Sequence, residues 1–413
     1  MDTEIITVGD ELVTGHTLDT NSALIARRMT DIGFTVRYKT SVGDSLADME
    51  EAFCLALRRT RVVIVTGGLG PTDDDITKKA IVRVFKRNLI FHEEVLEDIR
   101  ARYAKRGLEM PAISQNQALL PQGARIFPNK LGSAVGIGIA EEGRVFVAIP
   151  GVPVEAEQIL DDEVVPYLRG LRSGQVLKVV KLRTTGIIET KLSAMIAPDM
   201  KLEGGVKLAY LPSYSGVDLR IIAAADGEEE ADRKAQALTR HLEATCGRYI
   251  YGHDDDTLES VTGQLLRDND KTLSVAESCT GGELGMRITS VPGSSAYFLG
   301  GVVAYANDVK TQQLGVDPQL IEAHGAVSEE CADAMAAGCR NCFQSDYALS
   351  VTGIAGPDGG SEDKPVGSTY IGLASAHATY VRRFTFGPRR DVNRTRAVYA
   401  ALELLRREIL DIK

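Results

Sequence analysis

Twice in this chain an apolar, strand-like run breaks into the same phrase, V-T-G-x-x-G-P. The copies are Val65-Thr66-Gly67-Gly68-Leu69-Gly70-Pro71 and Val351-Thr352-Gly353-Ile354-Ala355-Gly356-Pro357. A run such as Val62-Val63-Ile64-Val65 has no polar face to offer water, so it belongs in a parallel sheet covered on both sides. The glycines that follow place an open loop at the strand end, where α/β sheets bind small molecules. Each copy therefore marks its own candidate site. Seven shared residues are too few to argue duplication.

At roughly 150 residues per domain, 413 residues make two or three domains. Residues 1–170 alternate β-branched runs (5–8, 35–38, 62–65) with helix-periodic ones (20–30, 46–60, 76–85), the pattern of strands joined by helical crossovers. Residues 171–252 read as a smaller α+β module, with strands at 175–185, 206–211 and 217–224 and helices at 189–196 and 228–245 in a KH-like order. The polar stretch 251–256 reads as a linker. Residues 253–413 return to α/β, with strands at 273–276, 301–305, 348–351 and 368–373 and a long helix at 392–412. The expected fold is two α/β sandwich domains with mainly parallel sheets, joined by a small α+β (KH-like) middle domain.

Net charge is −10, whereas a nucleic-acid binder carries a basic footprint, so duplex DNA is disfavoured. No apolar run approaches the ~18 residues of a membrane span, and residues 1–10 lack a secretory pattern. A soluble, cytoplasmic protein is expected. Six cysteines are too few for a disulfide framework, and Cys339-Arg340-Asn341-Cys342, without a second such pair, reads as helix packing.

At the first site, the backbone N–H groups of Gly67, Gly68 and Gly70 can face a phosphate. Asp73-Asp74-Asp75 follow at once. One aspartate suffices to cap the next helix, and three beside a phosphate repel it unless a divalent cation intervenes. The bland reading is a capped helix with surplus surface charge. Gly9-Asp10-Glu11, Thr14-Gly15 and Asp19-Thr20-Asn21-Ser22 gather further polar groups at the end of the first strand.

At the second, Glu277-Ser278-Cys279-Thr280-Gly281-Gly282 puts a serine on a strand-to-glycine turn, as a nucleophile beside an oxyanion hole would be. His253, His324 and His377 occupy no triad motif. A lysine is the other available base. Gly301-Val302-Val303-Ala304-Tyr305 reads as a strand ending in a tyrosine, with Lys310 five residues on, and burial can lower a lysine's pKa enough to take the serine proton. On spacing alone a structural role for that tyrosine and lysine is the commoner one.

Residues 8–15, 19–22 and 66–77, with Ile149-Pro150-Gly151-Val152-Pro153-Val154-Glu155, resemble the molybdopterin-binding MoaB/MogA fold as it occurs in the CinA family. Residues 276–282, 292–298, 301–310, 351–357 and 364–367 are similar to the C-terminal domain of the same family, the PncC-type nicotinamide mononucleotide deamidase. The resemblance implies metal-dependent hydrolysis of ADP-ribose in the first domain. Asp73, Asp74, Asp75 and Glu11 would face Mg²⁺, Mn²⁺ or Co²⁺, with Asn21, Gly67, Gly68 and Gly70 lining the phosphates. In the third domain it implies cofactor-free amide hydrolysis, with Ser278 as nucleophile, Lys310 and Tyr305 assisting, and Thr352, Arg389, Gly281 and Gly282 at the substrate. A homodimer acting on small nucleotides, without nucleic acid or membrane, is implied as well. The family's late G-D-R-x-x-x-R pattern is altered to Gly387-Pro388-Arg389-Arg390-Asp391-Val392-Asn393-Arg394, which leaves Arg390 and Arg394 as substitutes for phosphate binding. Two other readings stay open: a pterin or molybdopterin-nucleotide enzyme, and a non-enzymatic competence or recombination accessory. The second is disfavoured by the absence of a G-x-x-G loop in residues 171–252.

Overall fold

The computed structural model describes residues 1–72, 74–171 and 176–412. The chain folds as two compact units, residues 1–177 with 225–228, and residues 178–224 with 229–413.

In the first unit, Val62–Thr66 lies at the heart of a six-stranded sheet ordered Thr35–Val42, Asp2–Val8, Val62–Thr66, Arg144–Ile149, Gly136–Glu141, Arg125–Phe127. Every residue of the central strand is buried. Val63 and Val65 join a core with Met49, Phe53, Ala80 and Ile81 on one face. Val62 and Ile64 join Ile25, Met29, Phe127 and Ile159 on the other. The strand is apolar throughout because both of its faces are covered. The first four strands are parallel, and the last two are antiparallel. The chain reverses at Glu142-Gly143, both at positive φ (50° and 72°), which is the two-residue turn whose twist matches a hairpin. The sheet is therefore mixed. Asp75 does not cap the following helix Thr77–Val84, whose N-cap is Ile76 without a side-chain bond. Its carboxylate instead accepts from Thr72 N and Oγ1, closing the turn. Asp73 lies outside the described residues.

The second unit holds most of a four-stranded sheet, ordered Val206–Pro212, Val217–Ala225, Val176–Thr184, Ile250–His253, with helices Glu189–Ile196 and Glu228–Cys246. Half of the expected linker is strand: Ile250 pairs with Thr184 and Gly252 with Arg183. The aspartates after it serve as turn residues, with Asp256 Oδ2 accepting from His253 N and Asp254 Oδ1 from Lys181 N. That pairing spans a long stretch of sequence, and no local pattern reveals it.

The same unit holds a five-stranded sheet ordered Phe298–Val303, Leu273–Glu277, Tyr347–Gly353, Ser368–Ala374, Thr379–Thr385. Three strands are parallel and two antiparallel. Helices Leu258–Asp268 and Arg390–Ile409 supply Leu258, Leu266, Val398 and Leu402 to one core, and Glu329–Phe343 supplies Cys331, Met335 and Cys339 to the other. All six cysteines are free thiols. Among the described residues no helix is long and apolar enough to cross a membrane.

A buried ion pair within the helix Arg390–Ile409 places an arginine that reaches the small module. Arg406 (2% exposed) bonds Glu403 at 2.7 Å and donates to Arg248 O at 2.7 Å. Burial pushes the Glu403 pKa up against the pull of Arg406. Arg406→Ala strands a carboxylate in the interior and is expected to cost about 3 kcal/mol, read from the denaturant midpoint of this unit. Replacing both partners, Glu403→Leu with Arg406→Met, is expected to cost less than the single change. A single change as mild as the double one would show that the pair is not desolvated in this way.

Candidate functional site

Each unit gathers polar groups beyond the carboxyl ends of its parallel strands. In the first, the loop after Val62–Thr66 meets the loops after Asp2–Val8 and Arg144–Ile149 around a cavity of about 450 Å³. Glycine is required here. A Cβ on Gly67 (φ +110°) would lie 2.3 Å from Val8 O, and one on Gly68 (φ +65°) 2.2 Å from Thr77 Oγ1. Asn21, on the helix Thr20–Asp31 capped by Asp19, donates from Nδ2 to Gly151 O at 2.8 Å and Thr66 Oγ1 at 3.0 Å. The carbonyl acceptor fixes the orientation of the amide, and its Oδ1 is left buried without a partner.

Glu11 and Asp75 also line this cavity, together with Gly67, Gly68 and Gly70, whereas Asp74 does not. Asp74 is exposed, and its charge acts on Asp44. Asp44 and Asp10 hold each other through reciprocal backbone bonds of 3.1 and 3.0 Å, and burial raises the Asp44 pKa, helped by the charges of Asp10, Glu11 and Asp74. Among the described residues no ready cluster of three His, Cys, Asp or Glu side chains exists. Of the four carboxylates that line the cavity, Asp19 accepts from Ser22 N and Glu155 from Asn129 Nδ2, which leaves Glu11, the turn carboxylate of Asp75 and the orphan amide oxygen of Asn21. That oxygen-only set fits a hard cation that completes its shell with water and substrate phosphate rather than a closed protein cage.

Lys78, which the sequence pattern does not single out, carries its charge near Asp75. Desolvation lowers its pKa to about 8, opposed by Asp75, and its ammonium donates to Asn116 O and Gln117 Oε1.

In the second unit the strand Leu273–Glu277 delivers Ser278 to a turn that a buried carboxylate organises. Glu277 (1% exposed) accepts from Gly282 N, Leu284 N and Gly285 N at 2.8–3.0 Å. Gly281 and Gly282, at φ +60° and +96°, let the chain turn into the helix Glu283–Thr289. Ser278 N donates to Val351 O of the next strand. Among the described residues, neither Cys279 N nor Thr280 N donates to a protein oxygen, so both are free for a developing oxyanion.

Lys310 reaches Ser278 from the helix Asn307–Leu314. Its Nζ lies 3.3 Å from Ser278 Oγ, 2.8 Å from Ala304 O and 3.2 Å from Tyr305 O. All three ammonium protons are thereby directed. The side chain is 1% exposed, and desolvation holds its pKa below the ordinary lysine value.

Tyr305 takes a different place from the one its spacing suggests. It lies beyond the strand Phe298–Val303, gives its carbonyl to Lys310, and is itself 61% exposed. Its phenol oxygen accepts from Arg390 Nη2 at 3.1 Å. Thr352 Oγ1 donates to Ala326 O, a commitment within the fold. Arg389 is solvent-facing and paired with Asp391. Arg390 donates to Gly356 O and Arg394 to Thr280 O, so these two are the guanidiniums at the serine loop. Asn393 is buried and bonds Ala355 O and Gly387 O, locking the glycine loop to the helix. Cys279 is 8% exposed, and burial pushes its thiol up to about 11, so it stays protonated at neutral pH.

Three family models match along the chain: a probable molybdopterin binding domain over residues 4–170, the damage-inducible protein CinA KH domain over 180–252, and the CinA C-terminal domain over 255–409. A CinA-like protein of Gemmatimonas aurantiaca is 42% identical over 98% of this chain and 96% of its own length. One of Geobacter sulfurreducens is 40% identical over 98% of each. Among solved structures, competence/damage inducible protein CihA from Agrobacterium tumefaciens is 34% identical and covers 36% of this chain and 94% of its own, with a TM-score of 0.35.

The burial of Cys279 sets an expectation for thiol chemistry. In native protein at mildly alkaline pH, a disulfide reagent is expected to modify the exposed Cys342 fastest, and Cys342→Ser removes that phase. Cys279 is expected to stay unmodified by mass spectrometry until the protein unfolds. Rapid labelling of Cys279 would return it to consideration as nucleophile.

Proposed function

The chain belongs to the CinA family, and from that premise we propose that it is a cytoplasmic hydrolase with two activities. The second unit removes the carboxamide nitrogen of nicotinamide mononucleotide, and the first cleaves the pyrophosphate bond of ADP-ribose. The observation that carries the amidase reading is the buried Lys310 ammonium 3.3 Å from Ser278 Oγ.

Two of the lysine's protons are held by Ala304 O and Tyr305 O. Loss of the third to solvent leaves a lone pair facing the serine hydroxyl. The amine takes the Ser278 proton as Oγ bonds to the amide carbon, and Cys279 N and Thr280 N stabilise the oxyanion. The carbon–nitrogen bond then breaks, Lys310 returns the proton to the leaving nitrogen, and ammonia departs. Water, deprotonated by the same amine, then attacks the acyl carbon, the bond to Ser278 Oγ breaks as Lys310 returns the proton to it, and nicotinic acid mononucleotide leaves. Arg390 and Arg394 supply charge for the substrate phosphate, and Tyr305 orients Arg390.

In the first unit, Glu11, Asp75 and Asn21 Oδ1 would hold a divalent cation such as Mg²⁺, Mn²⁺ or Co²⁺. Bound there, it would neutralise phosphate charge and activate water. The glycine loop positions the phosphates, and Lys78 adds positive charge beside Asp75. A second reading of this unit, a pterin-nucleotide site, is favoured by its match to the molybdopterin-binding model. Chelator-sensitive cleavage of ADP-ribose, lost in Asp75→Asn, supports the hydrolase. Pterin retained on purification, with no such cleavage, supports the other reading.

For the amidase, ammonia release from nicotinamide mononucleotide is expected in wild type, with a loss of about 10³-fold or more in Ser278→Ala and Lys310→Met and no effect of chelator. The base must be neutral to act. Since desolvation lowers the Lys310 pKa, kcat/KM is expected to rise with pH and level off below the ordinary lysine range. Arg390→Ala is expected to raise KM about tenfold while Arg389→Ala changes little. An inactive wild type, or an active Ser278→Ala, would overturn the assignment.

A further inference from the structure

The second unit holds a cleft of about 600 Å³ that none of Ser278, Lys310, Cys279, Arg390 and Arg394 lines. Its walls are the hairpin tip at 213–216 and the loop 185–189 on one side, and the strand Thr379–Thr385 with the helix Arg390–Ile409 on the other. The chain as a whole is acidic, yet Lys191, Arg382, Arg396 and Arg407 face this space against Glu189 and Glu403. Glu403 is already matched by Arg406 at 2.7 Å. Among the described residues, Arg382 and Arg396 have no carboxylate partner. Two guanidiniums with unspent charge on one cavity suit an oxyanion, and phosphate above all, because the planar fork meets its oxygens in pairs.

The cleft is aromatic as well. Phe384 and Phe386 stand stacked at 5.7 Å with an 11° interplanar angle, and Tyr214, Tyr249 and Tyr399 complete the lining. Five of the chain's 10 Phe and 13 Tyr thus surround one cavity. Tyr214 (53% exposed) and Ile188 (61%) stay bare on the facing wall, large apolar groups without a folding reason to be there. Rings and a bare aliphatic wall are what a flat heterocycle stacks against.

We propose that this cleft is a second nucleotide-binding site of the unit, separate from the Ser278 loop, with Arg382 and Arg396 on the phosphate and the Phe384, Phe386 and Tyr214 rings around the base. The volume is that of a small-molecule site. A free nucleotide fits better than a nucleic-acid strand, which needs a basic track running on beyond the cavity, and the net charge of −10 opposes one. The site stands on its own geometry and does not depend on the amidase assignment.

Hydrogen exchange of the full chain, read by mass spectrometry with AMP as probe, tests this. AMP is expected to slow exchange in peptides covering 212–217 and 382–407. Arg382→Ala with Arg396→Ala is expected to raise the AMP concentration for half-protection there at least about tenfold, and the lysine pair Arg382→Lys with Arg396→Lys to recover part of it. No protection of these segments, or protection unchanged in the alanine pair, would overturn the proposal. Tighter protection by a short single-stranded oligouridylate than by AMP would replace the free nucleotide with a strand.

Discussion

The position of Ser278 rests on one buried carboxylate. Glu277 ends the strand Leu273–Glu277 and accepts three backbone N–H groups from the turn and helix that follow. A carboxylate taken from water is costly unless its lone pairs are met by donors, and here the only donors offered are the unsatisfied ones of a helix start. The two deficits cancel. In doing so they hold the intervening residues, Ser278 among them, in one geometry, with Cys279 N and Thr280 N left over. A helix N-terminus whose donors were all turned to the solvent would bind an anion without preference. One whose inner donors are consumed by Glu277 presents only the outer pair.

The two glycine loops share a phrase and a place at the end of a parallel strand, yet their surroundings differ. After Val62–Thr66 the glycines lie against carboxylates and an amide oxygen, so the surroundings are negative. After Tyr347–Gly353 the loop carbonyls of Ala355 and Gly356 are taken by Asn393 and Arg390, so that loop serves to hold side chains of the last helix. The difference lies in what the neighbouring strand ends bring: Glu11 and Asn21 in one unit, Ser278 and the Arg390 helix in the other.

Strands and their glycine ends were legible because their signals are local: apolar runs, turn residues and a phrase repeated after each. The strand-to-glycine turn that carries Ser278 was legible for the same reason, whereas the place of Lys310 beside it came from the family resemblance and not from spacing, since 32 residues separate the two. The arginine whose guanidinium meets Tyr305 was not legible. Successive helical residues point about 100° apart, so the choice between Arg389 and Arg390 depends on where the helix begins, and Arg389 proves to be its N-cap. Tyr305 lies two positions past the strand end at Val303, with its ring exposed and its carbonyl accepting from Lys310. The strand Ile250–His253 and the aromatic cleft were hidden for another reason: each is assembled from segments distant in sequence, whose individual patterns are unremarkable.

The helix Arg390–Ile409 ties these observations together through its periodicity. Arg390 and Arg394, four residues apart, lie on one stripe; Arg390 bonds the Tyr305 phenol and Gly356 O, and Arg394 bonds Thr280 O of the Ser278 loop. Arg396, Ala400, Glu403 and Arg407 follow at intervals of four, three and four and line the cleft, while Arg406 fastens the same helix to the carbonyls of Arg248 and Ile250. A helix with buried residues along its length, from Val392 to Arg406, moves as a rigid rod if it moves at all. Charge placed in the cleft at Arg396 is therefore carried on the same body as the guanidiniums at the serine. The small α+β module is fastened to the third domain by these contacts: it supplies the second wall of the cleft and holds the far end of the helix whose near end lies by the Ser278 loop.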